Sequence, residues 1–422
     1  MFDFQKLRHR LTRLFLSLGP GLFIIGYIVG TGSVTTMASA GARYGMSMTW
    51  ALALSCLFTY VMIVSVSRCT IVTGETIIHC IRRQFGSTIA IFVIIGLFMT
   101  ILTSVMGITA IASDVLREWG MQLTGGRLIV HPVVSTAMFI SVLYYLFWFG
   151  KNTFFLKAMS IVVTIMGLSF ISSMFLIVPD MSDIGAGLVP HLPSEADASL
   201  VLAGLVGTTM AGVCVVSRSY LVAEQGWKIT DLKTENRDAI FSLTLTFIVS
   251  GSIIAAAAGT LYPLGIPVRN AIDMVITLQP LAGQFASSIF IFGILAAALS
   301  SLFAGYVLGP WLVCDYLNVP RKMNRPLVRI AVMLVAIIGF TNPVFGGSPV
   351  VIMIASQAIS PVIMPLLVVL VFVMLNSKKT IGKYKNPLWL NIGLGVTFVF
   401  TLFLSYAGVV GLFDFLKNSL GG

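Results

Sequence analysis

A chain of 422 residues would ordinarily suggest two or three soluble domains, but 57% of this one is hydrophobic and only 10% is charged. With a mean hydropathy of +0.99 it has too few polar side chains to cover an aqueous exterior. The net charge of +11 is dispersed over many short loops, which argues against a nucleic-acid surface and for a topology signal.

A helix needs roughly 20 apolar residues to cross the hydrocarbon core of a bilayer. Eleven runs qualify, at about 16–41, 47–70, 87–113, 131–150, 154–178, 199–223, 239–263, 286–316, 327–344, 347–376 and 387–415. Period-two alternation is absent, so a helical bundle is expected and not a barrel. The first run is too long, and too embedded in the pattern, to be a cleaved signal peptide. Lys6, Arg8, Arg10 and Arg13 precede it. Alternate loops then carry Arg82 and Arg83, Lys151, the Lys228–Arg237 segment, Arg321 to Arg325, and Lys378 to Lys385. One of the opposite loops holds Asp180, Asp183, Glu195 and Asp197. Positive charge stays inside, so the N-terminus is expected in the cytoplasm and the C-terminus outside, in a bacterial inner (plasma) membrane.

Two runs carry features that a plain anchor has no need of. In the first, Gly19-Pro20-Gly21 opens the helix and Gly30-Thr31-Gly32-Ser33 sits near its middle. Glycine costs about 1 kcal/mol in a helix interior, so an unwound point is expected at these four residues. In the sixth, Gly207-Thr208-Thr209-Met210-Ala211-Gly212-Val213-Cys214 is a second small, polar stretch. Small residues also serve close helix packing. Two matched breaks five helices apart, however, suit a transporter built from inverted repeats, whose half-helices expose backbone groups at a central site.

At these residues the chain resembles the natural resistance-associated macrophage protein (Nramp) family of metal transporters. The likeness covers most of the chain. It rests on Gly19-Pro20-Gly21, Ala40-Gly41-Ala42-Arg43-Tyr44-Gly45, Val72-Thr73-Gly74-Glu75 and Ala296-Ala297-Ala298-Leu299-Ser300-Ser301. Ser356-Gln357 with Pro361 and Pro365, then Ile381-Gly382-Lys383-Tyr384-Lys385-Asn386, complete it. The resemblance implies an all-α, leucine-transporter-like fold of two inverted five-helix repeats plus an eleventh helix. Its segments would be a cytoplasmic N-terminus 1–15, a first repeat 16–178, an outer loop 179–198, a second repeat 199–376 and a final helix and C-terminus in 377–422.

The departures from the family pattern carry chemistry. Where the family has Asp-Pro-Gly-Asn in its first helix, this chain has Gly30, Thr31, Gly32 and Ser33. Where the family has Met-Pro-His in the sixth, Ala211, Gly212 and Val213 stand, and a further family histidine falls on Arg218. The acidic positions that the family associates with proton movement fall on Ile101 and Ser104. Mn²⁺ or Fe²⁺ selection relies on anionic oxygen with nitrogen or sulfur ligands. Hydroxyls, backbone carbonyls and the Gln357 amide make a neutral site instead, one that could hold a hard cation keeping its waters, such as Mg²⁺. The glycine-rich break also resembles that of amino acid–polyamine–organocation transporters, where free amides receive a substrate carboxylate.

The residues expected around the substrate are therefore Gly30, Thr31, Gly32 and Ser33 on one wall and Thr208, Ala211 and Cys214 on the other, with Gln357 closing the site. No metal ligand set is assigned. Arg218 lies inside a predicted span: it is either a gate or anion-pairing charge, or it snorkels or pairs with Glu224 or Asp238. Glu75 is either a gate residue or a solvated acid. Asp114, Arg117 and Glu118 read as a surface cluster. The cysteines show no disulfide or zinc spacing.

The function expected is alternating-access transport of a small inorganic ion, a divalent metal by family resemblance. Transport of a small organic or anionic solute on the same fold is one alternative, and a non-transporting sensor is another. No enzyme motif is found, no cofactor is expected, and the partners are the solute and the bilayer. The oligomeric state is not encoded in any motif, a monomer being one option.

Overall fold

The computed structural model describes residues 19–124, 130–149, 153–177, 181–195, 197–321, 325–382, 384 and 386–420. Among these residues the regular structure is helical, without a strand. An apolar chain in lipid must satisfy its backbone groups within each segment, and the helix does so. Within the described residues all eleven expected runs are largely helical, and several helices extend beyond the expected bounds: the third is Ser87–Thr124, the seventh begins early as Leu232–Thr260, and the eleventh is Leu388–Leu420. Among the described residues, seven helical spans are long and apolar enough to cross a membrane.

Both expected interruptions are present: the second falls within its expected stretch, and the first takes in Gly30 but not the three residues after it. The first span is split into Gly19–Ile28 and Thr31–Tyr44, with only Val29 and Gly30 between them. Gly30 is extended (φ −110°, ψ −169°), and this single residue is enough to re-aim the chain. Thr31, Gly32 and Ser33, expected to be unwound, instead form the first turn of the second half, where Thr36 Oγ1 donates to the Gly32 carbonyl at 2.7 Å. The sixth span is split into Ala198–Thr209 and Gly212–Gln225, with Met210 and Ala211 between. Gly207 to Thr209 end the first half, and Gly212 to Cys214 begin the second.

A third interruption was not anticipated. The tenth span is divided into Pro349–Ala358, a 3-10 turn Ser360–Ile363 and Met364–Asn376. Pro361 has no N–H to give to a continuing helix, which explains the change of winding there. The chain also makes a short amphipathic helix, Ile77–Phe85, burying Ile77, Ile78, Cys80 and Ile81 and ending on Arg82 and Arg83. That pattern suits a helix lying at a membrane interface.

Packing puts the broken helices in the middle. Thr31–Tyr44 lies against Leu232–Thr260 and Ala198–Thr209; Ala198–Thr209 also lies against Pro349–Ala358 and the eleventh helix. Some 94% of the apolar window of the sixth span is buried, against 33% of that of the eleventh. Large apolar side chains exposed on outer helices, such as Phe175, Tyr406 and Phe413, face what must be acyl chains and not water. Close approach at the centre depends on glycine at one point above all. A Cβ on Gly207 would collide with the backbone carbonyl of Gln357, so the sixth and tenth spans touch backbone to backbone there.

Candidate functional site

The breaks of the first and sixth spans meet at a cavity of about 40 Å³. A void of that size has room for about three water-sized spheres. Gly30, Gly32 and Ser33 of the first span, Thr208 and Ala211 of the sixth, and Gln357 of the tenth all line it. Six of the eight residues expected around a substrate are thus brought together.

The other two turn away. Thr31 is fully buried and its hydroxyl donates to the Ile294 carbonyl at 3.4 Å, tying the first span to the eighth. Cys214 is also fully buried but is absent from the cavity wall. The Cys214 side chain belongs to the packing of the sixth span, one turn past the break.

The remaining wall was only partly legible in the sequence. The third span contributes Thr100, Ile101, Ser104, Val105 and Ile108, and the last four follow the i, i+3, i+4, i+7 spacing of one helical face. The eighth span contributes Ser301 and Gly305, one turn apart, and the tenth adds Ser360 from its 3-10 turn. Tyr27 and Ile28 enter from the last turn before the first break.

The donor set is uniform in character. Every polar side chain on the wall is a hydroxyl or the Gln357 amide; no carboxylate, imidazole, thiol or thioether is among them. Among the described residues no group of three or more His, Cys, Asp and Glu is placed to hold a metal. Several wall groups are already engaged. Ser33 Oγ is 3.3 Å from Ser250 Oγ, Thr208 Oγ1 donates to the Leu205 carbonyl at 2.9 Å, and Gln357 Nε2 donates to Ser104 Oγ at 3.3 Å. The helix ends add backbone polarity. Gly19–Ile28 and Ala198–Thr209 end at the breaks and bring free carbonyls and the negative ends of two dipoles, while Thr31–Tyr44 and Gly212–Gln225 begin there and bring free N–H groups and two positive ends.

Arg218 lies in a different place, two turns beyond the sixth-span break and fully buried. Its Nη1 donates to Asp238 Oδ2 at 2.6 Å, Nη2 to Glu235 Oε1 at 3.2 Å and Nε to Ser67 Oγ at 3.2 Å. Asp238 Oδ1 in turn accepts the backbone N–H of Gly21 at 3.2 Å. One network therefore joins the first, second, sixth and seventh spans. Of the two partners expected for Arg218, Asp238 is the one found; Glu224 pairs with Arg321 at 3.6 Å. Glu75 belongs to neither network nor cavity: it pairs with Arg83 at 2.9 Å and is partly exposed.

At the opposite end of the bundle, Arg43 pairs with Asp197, and Tyr44 Oη donates to the same carboxylate at 2.7 Å. Asp114 corrects the expectation of a surface cluster. It is only 5% exposed, pairs with Arg117 at 3.1 Å, and accepts the Ala271 N–H at 3.1 Å at the start of the 3-10 helix Ala271–Leu278. Its task is to hold that connection against the third span.

The sequence profile of the family described as "Natural resistance-associated macrophage protein-like" matches residues 21–411. The chain belongs to the Nramp family. A divalent metal cation transporter (MntH) of Listeria monocytogenes is 25% identical over 425 residues, covering 96% of this chain and 91% of the relative. The crystal structure of an Eremococcus coleocola manganese transporter superposes with a TM-score of 0.76 at 14% identity, covering 97% of this chain and 89% of that one. The transporter MhsT, solved with L-phenylalanine, superposes at 0.62 with 13% identity, covering 94% and 98%. The Nramp chain described here accordingly has the leucine-transporter-like fold and is an integral membrane protein.

Proposed function

We propose that this Nramp-family chain moves a hard divalent cation, with Mg²⁺ the best fit, by alternating access about the cavity at the helix breaks. The observation that carries this reading is the pairing of family membership over residues 21–411 with a cavity walled only by neutral oxygen donors. Oxygen-only coordination suits cations that bind carbonyls, hydroxyls and water, and gives Mn²⁺ or Fe²⁺ no nitrogen or sulfur ligand to prefer. The cavity has space for a few waters, so the ion would complete its shell with water it never sheds.

The ligands of such a site are neutral oxygens. The last carbonyls of Gly19–Ile28 and Ala198–Thr209 offer the ion backbone oxygens, the hydroxyl lone pairs add to them, and the N–H ends of Thr31–Tyr44 and Gly212–Gln225 at the same breaks offset the helix dipoles. The same reading assigns the two inverted repeats to 16–178 and 199–376. It places the N-terminus in the cytoplasm, the C-terminus outside and the chain in a bacterial inner membrane, on the distribution of Lys and Arg among the loops. Arg218 then stands on the cytoplasmic side of the site, where its network holds the first, sixth and seventh spans together. The rival reading, an organic or anionic solute, drew on Arg218 and on the glycine-rich break; two carboxylates occupy that guanidinium, which leaves the break as its support.

The test is Mg²⁺ and Mn²⁺ uptake by purified protein in proteoliposomes. Saturable Mg²⁺ uptake, with Mn²⁺ no better a substrate, is the expected result. No uptake of either ion by protein that elutes as a single folded species would overturn the reading and favour an organic or anionic solute.

A further inference from the structure

Two serine hydroxyls on the cavity wall differ from its other serine and threonine hydroxyls. Serine and threonine inside helices usually donate back to a carbonyl three or four residues earlier, and on this wall Thr100 does so to Leu97 at 2.7 Å and Thr208 to Leu205 at 2.9 Å. Ser33 is matched by Ser250, and Ser104 by Gln357. The Oγ atoms of Ser301 and Ser360 have no partner, although the residues are only 7% and 2% exposed. Leaving a buried hydroxyl unpaired forfeits its solvation, so such a group needs an explanation, and an ion or water at the site is the usual one.

The surroundings of Ser301 reinforce this. A Cβ added to Gly30 would collide with Ser301 Oγ. The space that any side chain at position 30 would fill is therefore taken by a hydroxyl from the eighth span, delivered to the break in the first. Ser360 arrives from another element, at the point where the tenth span changes winding. Two serines with orphaned oxygens, on separate elements, thus line one small neutral cavity.

We propose that Ser301 Oγ and Ser360 Oγ are direct ligands of the transported cation, and that Gly30 is required because Ser301 occupies its side-chain space. This deepens, and rests on, the reading of the cavity as a hard-cation site. Both atoms would bind as neutral alcohol oxygens through their lone pairs, with their protons retained. Position 30 and position 301 act as a unit: a side chain at the first displaces the ligand at the second.

The test replaces each oxygen with sulfur. S301C and S360C are close in volume to the native residues, and a thiol or thiolate favours a soft ion such as Cd²⁺ over Mg²⁺. Uptake of ²⁸Mg²⁺ into proteoliposomes is measured for the unaltered protein, S301C, S360C, S301A, G30A and the G30A/S301A double variant, with Cd²⁺ as competitor. Each cysteine variant is expected to raise the KM for Mg²⁺ about tenfold and to lower the Cd²⁺ concentration for half-inhibition by at least about tenfold. G30A and S301A should raise KM alike, and the double variant should be no worse than either, because both changes remove the same ligand. If the unaltered protein carries Mg²⁺ while both cysteine variants keep its Mg²⁺ and Cd²⁺ preferences, the ligand assignment is overturned and the cation reading stands. If the unaltered protein carries neither Mg²⁺ nor Mn²⁺, the cation reading fails and the ligand assignment falls with it.

Discussion

Replacing Arg218 with Met tests the buried network directly. The guanidinium is fully enclosed, and it faces two carboxylates that are each 1% exposed, at 2.6 Å and 3.2 Å. Methionine fills much of the volume but leaves Asp238 and Glu235 without a counter-charge. Removing one member of a buried ion pair costs about 3–5 kcal/mol, because the partner is left desolvated and uncompensated. Two carboxylates share this arginine, so the upper part of that range applies. That is a large share of a typical net stability of about 5–15 kcal/mol. The two acids are not equivalent: Asp238 makes the shorter contact and also accepts the Gly21 N–H at 3.2 Å, so D238N should cost more than E235Q. Thermal unfolding of the purified protein in detergent gives the readout. R218M should lower the midpoint most, D238N less and E235Q least. The triple variant R218M/E235Q/D238N should recover a substantial part of the loss, since no net charge is then left buried. If R218M unfolds at the midpoint of the unaltered protein, or if the triple variant is no better than R218M, then uncompensated charge is not what the network guards against.

Further outcomes follow from other contacts. G207A should cost about 1–3 kcal/mol by overpacking, because its methyl meets the Gln357 carbonyl, and should depress uptake through the displaced tenth span; stability and transport both unchanged would show that the two backbones part freely. No carboxylate or imidazole lines the cavity, so an imposed pH gradient should not drive uphill cation uptake in proteoliposomes; accumulation that collapses with a protonophore would contradict this. A site without formal charge should also bind weakly, with a KM on the order of 1 mM, equivalent to about −4 kcal/mol; a micromolar KM would demand an anionic ligand that the wall does not contain.

How far the sequence revealed this protein can be judged residue by residue. Run length alone marked the spans, because lipid imposes a minimum number of apolar residues on any crossing helix. The two central breaks were legible because glycine and small polar residues are costly in the middle of an apolar helix, yet the first break is shorter than expected. One extended residue at Gly30 re-aims the chain, so Thr31 to Ser33 could return to helix. The third break left a weaker trace in Pro361, since proline also occurs within continuous membrane helices. Ser301 and Ser360 could not be singled out at all. A lone serine in an apolar helix ordinarily bonds to its own backbone, and only tertiary structure shows that these two do not. Asp114 was misread for a related reason. Its sequence neighbours are charged, but its burial is set by Ala271, 157 residues away.

The central cavity is neutral by construction and not merely by the absence of an acid. Gly30 leaves a space that the Ser301 hydroxyl fills, so the wall at the first break is closed by an alcohol from another helix. Gly207 lets the sixth span rest on the Gln357 carbonyl, which fixes the amide of that residue beside Ser104. A carboxylate introduced at position 30 would displace the Ser301 hydroxyl, because its Cβ takes the space that Oγ now fills. The formal charges are kept apart from the cavity: Arg218 is shared by Asp238 and Glu235 on one side, and Arg43 pairs with Asp197 at the far end. On the proposed reading, a divalent ion at the centre would meet backbone dipoles and lone pairs without a fixed counter-ion. Weak, reversible coordination of a water-carrying cation is the chemistry that such an arrangement performs best.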